Sequence, residues 1–476
     1  MILLESVVIF FLYVLGIVGA IHALMKKREP RSALIWVIIC VFFPFFGVLL
    51  YIMFGVNRVK MVMREWRSHG ICSLTAAEKQ MAEDEVDQRQ DYEAYYALMK
   101  TGYQLLRQPL QIGCQVDCLF DGVQAYPEMI KAIRSAESCV FLSTYIFGST
   151  GVGTEFIEAL SDAVQRKVEV KVLIDGVGSL YTWPSIYWAL KKNRVPVHLF
   201  LFPLSSIRGL RYLNLRNHTK LLVVDGKVAF TGGMNIHADN DAKRGVEPFI
   251  HDLHFKLQGP ILGELQDVFL NIWYFATGWK QHPRLLFYDD TMKGNALTRG
   301  IANGPYQDIP SIQIMLNTAI NQAQSYIRIM TPYFIIGNIL GLALIAAVLR
   351  GVTVEIILPE KNNLSFVKGA TEALLSPLLQ RGVKAYYRTG NFAHNKIFIV
   401  DDSYVVLGSS NLDTRSFALN FEFNLEVYDH HLAQRLIQHF EEIKQISQPL
   451  TDERLQKQNF GIKLRNAICK LFSPYL

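Results

Sequence analysis

The feature that most constrains this chain is a stretch it carries twice. Asn217-His218-Thr219-Lys220-Leu221-Leu222-Val223-Val224-Asp225-Gly226 runs on through Val228-Ala229-Phe230-Thr231 to Gly232-Gly233-Met234-Asn235. Ala393-His394-Asn395-Lys396-Ile397-Phe398-Ile399-Val400-Asp401-Asp402 runs on through Val405-Val406-Leu407 to Gly408-Ser409-Ser410-Asn411. The offset is 176 at the His (394 − 218), the Lys (396 − 220), the Asp (401 − 225) and the Asn (411 − 235). A spacing kept through four positions without an insertion marks a duplicated unit.

His-x-Lys followed by four apolar, mostly β-branched residues reads as a strand, on which positions i and i+2 share a face. His218 and Lys220 are therefore expected to project together, as are His394 and Lys396. Asp225-Gly226 is a hairpin-turn signal, and the next apolar run returns antiparallel toward the glycines. By the same parity Asp225 and Asp401 face away from their own His and Lys, which suits a structural carboxylate better than a catalytic partner. The Gly pair lets backbone pass close to whatever His and Lys hold, and delivers Asn235 or Asn411 beside it.

Imidazole, ammonium and amide, each supplied twice, match the needs of a tetrahedral phosphodiester. Lys offsets its charge, and Asn donates to the non-bridging oxygens. One His attacks phosphorus while the other protonates the departing oxygen, then serves as base for the incoming hydroxyl. The scheme needs no metal. A lone His-x-Lys is more often an exposed strand face, but two copies with matched Asp and Gly-x-x-Asn are very unlikely to arise by chance.

These residues resemble the two His-x-Lys-x4-Asp motifs of the phospholipase D superfamily. Arg216-Asn217-His218, Phe230 to Asn235 and Gly408-Ser409-Ser410-Asn411-Leu412-Asp413-Thr414-Arg415-Ser416-Phe417 are similar to bacterial cardiolipin synthase in particular, and the similarity runs from the first apolar segment to the last residues. The resemblance implies an α/β fold: two phospholipase D-like lobes, mixed sheets flanked by helices, related by a pseudo-two-fold axis and preceded by a two-helix transmembrane hairpin. It implies His218, Lys220, Asp225, His394, Lys396 and Asp401 as the catalytic set and Asn235 and Asn411 as phosphate-binding residues. Asp252, in His251-Asp252-Leu253-His254, and Glu422, in Asn420-Phe421-Glu422-Phe423-Asn424, match positions where the superfamily sets a carboxylate on the catalytic imidazole; it gives His251 and His254 no role.

The activity so implied is that of a multi-pass phosphatidyltransferase of the bacterial inner membrane. His218 attacks one phosphatidylglycerol and expels glycerol, protonated by His394; the phosphatidyl-histidine then passes to a second phosphatidylglycerol, giving cardiolipin. Phosphatidylglycerol and other anionic phospholipids are the expected partners, with no cofactor, metal or nucleic acid. Two stretches depart from the family pattern. Gly148-Ser149-Thr150-Gly151-Val152-Gly153 lacks the usual acidic residues, and Arg388-Thr389-Gly390-Asn391 replaces a more aromatic lead into the second motif, so the range of acceptor alcohols is left open. Also open is a phospholipase D using water as acceptor. A nuclease is disfavoured by the apolar N-terminus and the lack of a strongly basic surface. Retention of both His, both Lys and both Asn argues against a non-catalytic lipid-binding scaffold.

The 476 residues have room for two domains and extras. Ile2 to Met25 is apolar except for Glu5, Ser6 and His22, and Ala33 to Gly55 carries no charge. Each run is long enough to cross a hydrocarbon core of about 30 Å at about 1.5 Å per residue. The short basic link from Lys26 to Ser32 makes them a hairpin, assigned to residues 1–56. Basic residues in the link and after the second run balance, so the sidedness stays open. Residues 57–110 read as a connector, with lobes at 111–297 and 298–450, each repeating strand, helix and parallel strand. Each lobe carries half the donors, so the site belongs in the cleft between them.

In the tail, 451–476, Phe460, Leu464, Ile468, Leu471 and Phe472 fall on one helical face. That pattern fits an interfacial helix on anionic lipid or, equally, a helix docked on the core. The net charge of +6 suits an anionic surface or substrate without identifying it. The six cysteines show neither CxxC nor zinc spacing, and Cys114 and Cys118 read as core residues.

Overall fold

Alternating Val, Ile, Leu and Phe need apolar layers on both faces, and the strands of both copies find them in one continuous sheet. The computed structural model describes residues 2–27, 30–56, 90–202, 214–241, 249–278, 287–305 and 310–473. The first lobe contains β1 (Gln111–Phe120), β2 (Cys139–Thr144), β3 (Glu169–Asp175), β4 (Val197–Phe200), β5 (Arg216–Asn217), β6 (Leu221–Val224), β7 (Val228–Gly232), β8 (Ile250–His251) and β9 (Leu253–Gln258). The second contains β10 (Ala296–Asn303), β11 (Tyr326–Met330), β12 (Thr353–Pro359), β13 (Lys384–Arg388), β14 (Phe392–Ala393), β15 (Ile397–Val400), β16 (Tyr404–Gly408), β17 (Asn420–Tyr428) and β18 (Ser447–Leu450).

The order is β4-β3-β2-β6-β7-β9-β1 and then β10-β17-β16-β15-β11-β12-β13-β18, the same sequence of strands read outward from the middle with β18 added at one edge. The halves join where β1 pairs antiparallel with β10, Gln111 opposite Thr298, and the pseudo-two-fold relation runs through that seam. β2, β3 and β4 are mutually parallel, as are β11, β12 and β13, each joined by crossover helices. This is the mixed α/β architecture of two like lobes.

Helices Asp121–Arg134, Val152–Gln165 and Ile186–Lys192 cover one face of the first lobe, over Val140, Leu142, Val172, Ile174 and Leu222. On its other face Phe269 of the helix Leu262–Thr277 stacks on Phe141, with ring centroids 5.1 Å apart. Helices Ser311–Gln322, Asn338–Leu349 and Ser365–Leu379 cover the second lobe over Ile327, Ile329, Val354, Ile356 and Phe398. The helix His430–Gln445 backs its other face. Each of these fully buried side chains contributes about 1.5–3 kcal/mol, so the sheet is the most stable part of the chain.

Of the connector, 57–89 lie outside the described residues. The helix Tyr96–Leu106 packs on the second lobe rather than the first: Tyr95, Leu98 and Met99 join its core. Buried Arg299 on β10 pairs with Glu426 on β17 and donates to the carbonyls of Met99 (3.1 Å) and Gln108 (3.2 Å).

The N-terminal segment forms its own unit. The helix Ile2–Lys26 is followed by Pro30–Phe42 and Pro44–Leu50 and a π-helical turn, Tyr51–Gly55. Glu5–Lys26 is long and apolar enough to cross a membrane; the second run is two shorter apolar helices. Expected as one span, it breaks because Pro44 lacks an N–H and its ring excludes the helical geometry before it, leaving Phe43 at φ −128°, ψ 67°. The helices pack through small residues: a Cβ on Gly16 would meet the Cys40 carbonyl at 2.5 Å.

Candidate active site

β6 turns into β7 at Asp225, and β15 into β16 at Asp401, both with φ 52°. Aspartate tolerates this left-handed conformation because its carboxylate makes local bonds. Asp225 accepts from the backbone N–H groups of Glu137 (2.9 Å), Ser138 (2.7 Å) and Cys139 (2.8 Å). Asp401 repeats the arrangement with Gln324 (3.0 Å), Ser325 (2.7 Å) and Tyr326 (2.9 Å). The motif aspartates thus tie each hairpin to the neighbouring parallel strand, at the end of β6 or β15 away from the histidine. Both carboxylates are engaged with backbone N–H groups.

His218 to Lys220 and His394 to Lys396 lie between short strands, not within one as expected. The reason is that each lead-in leaves its own lobe. β5 pairs with β17 of the second lobe, Asn217 opposite Phe421, while β14 pairs with β8 of the first, Ala393 opposite His251. The His218 N–H donates to the Phe421 carbonyl (2.9 Å) and the His394 N–H to the His251 carbonyl (2.7 Å). The next residue on each supporting segment is the carboxylate. Glu422 meets Nδ1 of His218 at 2.9 Å and 3.0 Å, and Asp252 meets Nδ1 of His394 at 2.9 Å. Each imidazole is therefore oriented by the other lobe.

The two halves differ in detail. Ser409 Oγ donates to Glu422 Oε2 (2.6 Å), and Asn420 Nδ2 to Oε1 (3.2 Å). Its counterpart in the repeat is Gly233 (409 − 233 = 176), where a Cβ would lie 2.3 Å from Asp252 Oδ1. The shorter carboxylate packs against glycine; the longer one takes a hydroxyl partner.

Both lysines are buried, and each donates to the carbonyl of its own histidine, Lys220 at 2.9 Å and Lys396 at 2.7 Å. Lys396 Nζ also stands 2.8 Å from His394 Nδ1, which cannot donate to Asp252 and accept from the lysine at once. Burial lowers Lys220 to about 7, with Lys396 adding to the fall, and lowers Lys396 to about 8. Burial and Lys396 push His394 down to about 4; burial, Lys220 and Lys396 hold His218 well below its ordinary value. Burial raises Glu422 to about 7 against the pull of Lys220. Desolvation thus disfavours charge on both members of the His218–Glu422 pair, which titrates as one unit sharing a proton. Two lysines and two imidazoles thus stand here beside two carboxylates.

Asn235 Oδ1 accepts from the Ile146 N–H (3.2 Å), leaving N–H2 as the other end of the amide. Asn411 is buried, and its Oδ1 has no hydrogen-bond partner among the described residues. Aromatic rings wall the site: Tyr145 stands edge-on to His218 at 5.2 Å and lies under Lys220 Nζ at 5.6 Å, and Tyr333 stands 6.4 Å from His394. Ser409, Asn420, Tyr145 and Tyr333 were not singled out by spacing; only Ser409 sits in a repeated slot that offered a signal. His251 pairs with Asp121 at 3.0 Å, and Asp121 also accepts from the Asp252 N–H (2.9 Å), bracing the Asp252 segment. His254 is buried in the core behind it. Among the described residues no group of three or more His, Cys, Asp and Glu converges as a metal site requires.

A family model described as cardiolipin synthase, phospholipase D-like domain, matches residues 129–251 and 316–444, one segment for each half-site. The chain belongs to the phospholipase D-like cardiolipin synthase family. A phospholipase D-nuclease N-terminal model matches 14–55. Across this family the chain is 30% identical to cardiolipin synthase A of Pseudomonas putida (strain KT2440), covering 98% of this chain and 96% of that one. It is 29% identical to the major cardiolipin synthase of Bacillus subtilis (strain 168), covering 99% and 100%. Among solved structures, the phosphatidylserine synthase of Haemophilus influenzae Rd KW20 superposes with a TM-score of 0.63 at 16% identity, over 80% of this chain and 100% of that chain, a likeness of fold.

Proposed function

We propose that the chain is a membrane phosphatidyltransferase that makes cardiolipin and glycerol from two molecules of phosphatidylglycerol. The observation that carries the reaction type is the crossed pair of carboxylates: two buried imidazoles at one inter-lobe seam, each with Nδ1 against a carboxylate of the other lobe, and Lys396 Nζ 3.2 Å from Nε2 of His394. The full-length relatedness to cardiolipin synthases supports the product.

With Nδ1–H given to Glu422, neutral His218 has a lone pair on Nε2 for phosphorus. Nε2 bonds to phosphorus as the phosphorus–glycerol bond breaks, and His394 passes a proton to the departing oxygen. The second lipid's hydroxyl then gives its proton back to His394 and displaces His218, so protons and bonds balance over the cycle. Lys220 and Lys396, with Asn235 and Asn411, face the non-bridging oxygens, whose charge grows in each transition state. An incoming diester anion adds negative charge beside both lysines. It raises the lysines and His394 toward their protonated forms, so binding itself loads the general acid. The apolar first helix associates the chain with membrane, and the second run completes a bent return through it.

The test is product analysis after incubating the reconstituted chain with phosphatidylglycerol labelled in its headgroup glycerol. Labelled cardiolipin with free labelled glycerol is expected. Phosphatidic acid with free glycerol and no cardiolipin would make water the acceptor and overturn the transferase reading.

A further inference from the structure

The C-terminal helix Phe460–Leu471 docks on the second lobe, with its apolar stripe turned outward. Against the helix Ser365–Leu379 it turns Asn466 and Cys469: Asn466 Nδ2 donates to Glu372 (2.9 Å), and Gly369 leaves room for both side chains. The apolar stripe points outward, with Phe460 79% and Leu471 71% exposed and Leu464 and Ile468 about half exposed. A helix that buries an amide and shows water its phenylalanine and leucines has the wrong face out for a soluble protein.

Through its buried side this helix adjoins a wall of the active site. Cys469 clusters with Ile335 and Val367, and Tyr333, the ring beside His394, packs on that cluster. Tyr333 donates to Asn363 at 2.7 Å, and three residues on Phe366, half exposed, meets Phe472 at 5.7 Å. The first lobe shows the same device. Tyr181, 6.2 Å from Tyr145 and so one ring removed from His218, opens a loop that ends in Trp183, 90% exposed, and Trp188 is exposed on the helix that follows. Each rim thus leads by aromatic rings to one of the two histidines, Tyr181 through Tyr145 to His218 and Tyr333 to His394. Exposed cations flank both rims: Lys463 and Lys470 on one side, Lys191 and Lys192 on the other.

The geometry points to a two-sided docking surface that seats the mouth of the catalytic cleft on an anionic bilayer, Trp183 and Trp188 from one lobe and Phe366, Leu464 and Leu471 from the other entering the interface. Aromatic and aliphatic side chains enter at headgroup depth while the lysines engage anionic headgroups. The occupant is lipid because charge and apolarity occur together on both rims, and because the same chain carries a helix that places it at a membrane. Docking is separate from the choice of acceptor and does not rest on it.

The test places an environment-sensitive fluorophore on Leu464→Cys or Trp183→Cys in the full chain, with Gln434→Cys, exposed on the helix His430–Gln445, as the control. A Cys72→Ser background confines the label, since the other five cysteines are buried. All three positions are at the surface, so labelling leaves the core intact. In vesicles of phosphatidylcholine with an anionic phospholipid, emission at 464 and 183 is expected to shift to the blue and to be quenched by brominated acyl chains, while 434 stays unchanged. Probes at 464 and 183 as water-exposed as the control would overturn the proposal. So would a blue shift that follows protein concentration in detergent without lipid, which would make a second copy the occupant.

Discussion

Glu422 holds Nδ1 of His218 at 2.9 Å across a sequence separation of 204 residues, from a strand of the other lobe. The converse bond, Asp252 to His394, makes the exchange mutual. The carboxylate fixes which ring nitrogen carries the proton and stabilises the imidazolium whenever it forms. Glu422→Gln is therefore expected to lower kcat by about a hundredfold or more, in line with general acid–base contributions, with KM little changed. An unaltered kcat with an intact melting transition would count against this role.

The mechanism requires both imidazoles. His218→Ala and His394→Ala should each abolish turnover, and the unaltered chain should yield a trapped lipid adduct that survives alkali, is lost in acid and is absent from His218→Ala. Substantial activity in either variant would refute a single shared site.

Asp225 supports backbone, and its substitution should show it. Asp225→Ala strands one buried and two part-buried N–H groups and is expected to cost about 3 kcal/mol, read as a lower Tm, while the folded fraction keeps its kcat. A large loss of kcat at unchanged Tm would restore the residue to the catalytic set.

Lys220 is buried for function at a cost to the fold. Replacing a buried charge by an apolar side chain of similar length is often stabilising, so Lys220→Met should raise stability by roughly 1–3 kcal/mol at neutral pH and remove activity. Destabilisation together with lost activity would mean that its bond to the His218 carbonyl matters more than its desolvation.

The same shifts set pH dependence. An unfolded lysine keeps its proton to about pH 10.4, whereas Lys220 releases its own near 7 and Lys396 near 8. Between those values the unfolded chain binds more protons, so this contribution to stability rises with pH and falls away toward neutrality. His394, lowered to about 4, contributes stability that is present above about pH 6.5 and lost as pH falls through 4. Binding a non-reactive phosphodiester lipid at about pH 8.5 should take up protons, measured by calorimetry in two buffers of different ionisation heat. Proton release would contradict the lowered lysines.

Much of this was legible in the sequence because it is periodic or repeated. The constant offset gave two lobes, and the Asp-Gly turn gave β6 and β7. What was not legible depends on contacts between segments far apart. Spacing cannot say that Asn217 pairs with Phe421, and so cannot say that His218 leaves its strand or which carboxylate serves which ring. The second apolar run misled because an uncharged stretch sums to one span unless Pro44 is weighted as a break. For the tail, periodicity identified the stripe, but its direction depends on Gly369 and Glu372 accepting the polar face instead.

The crossed supports also govern when the enzyme becomes active during its own synthesis. When the first lobe has been synthesised His218 is present, but Phe421 and Glu422, which fix its backbone and its ring, do not yet exist. Domains fold as they leave the ribosome, so the first lobe can form while its histidine remains unaimed. A product that stops before Glu422 is thus expected to hold its first histidine without the carboxylate that aims it.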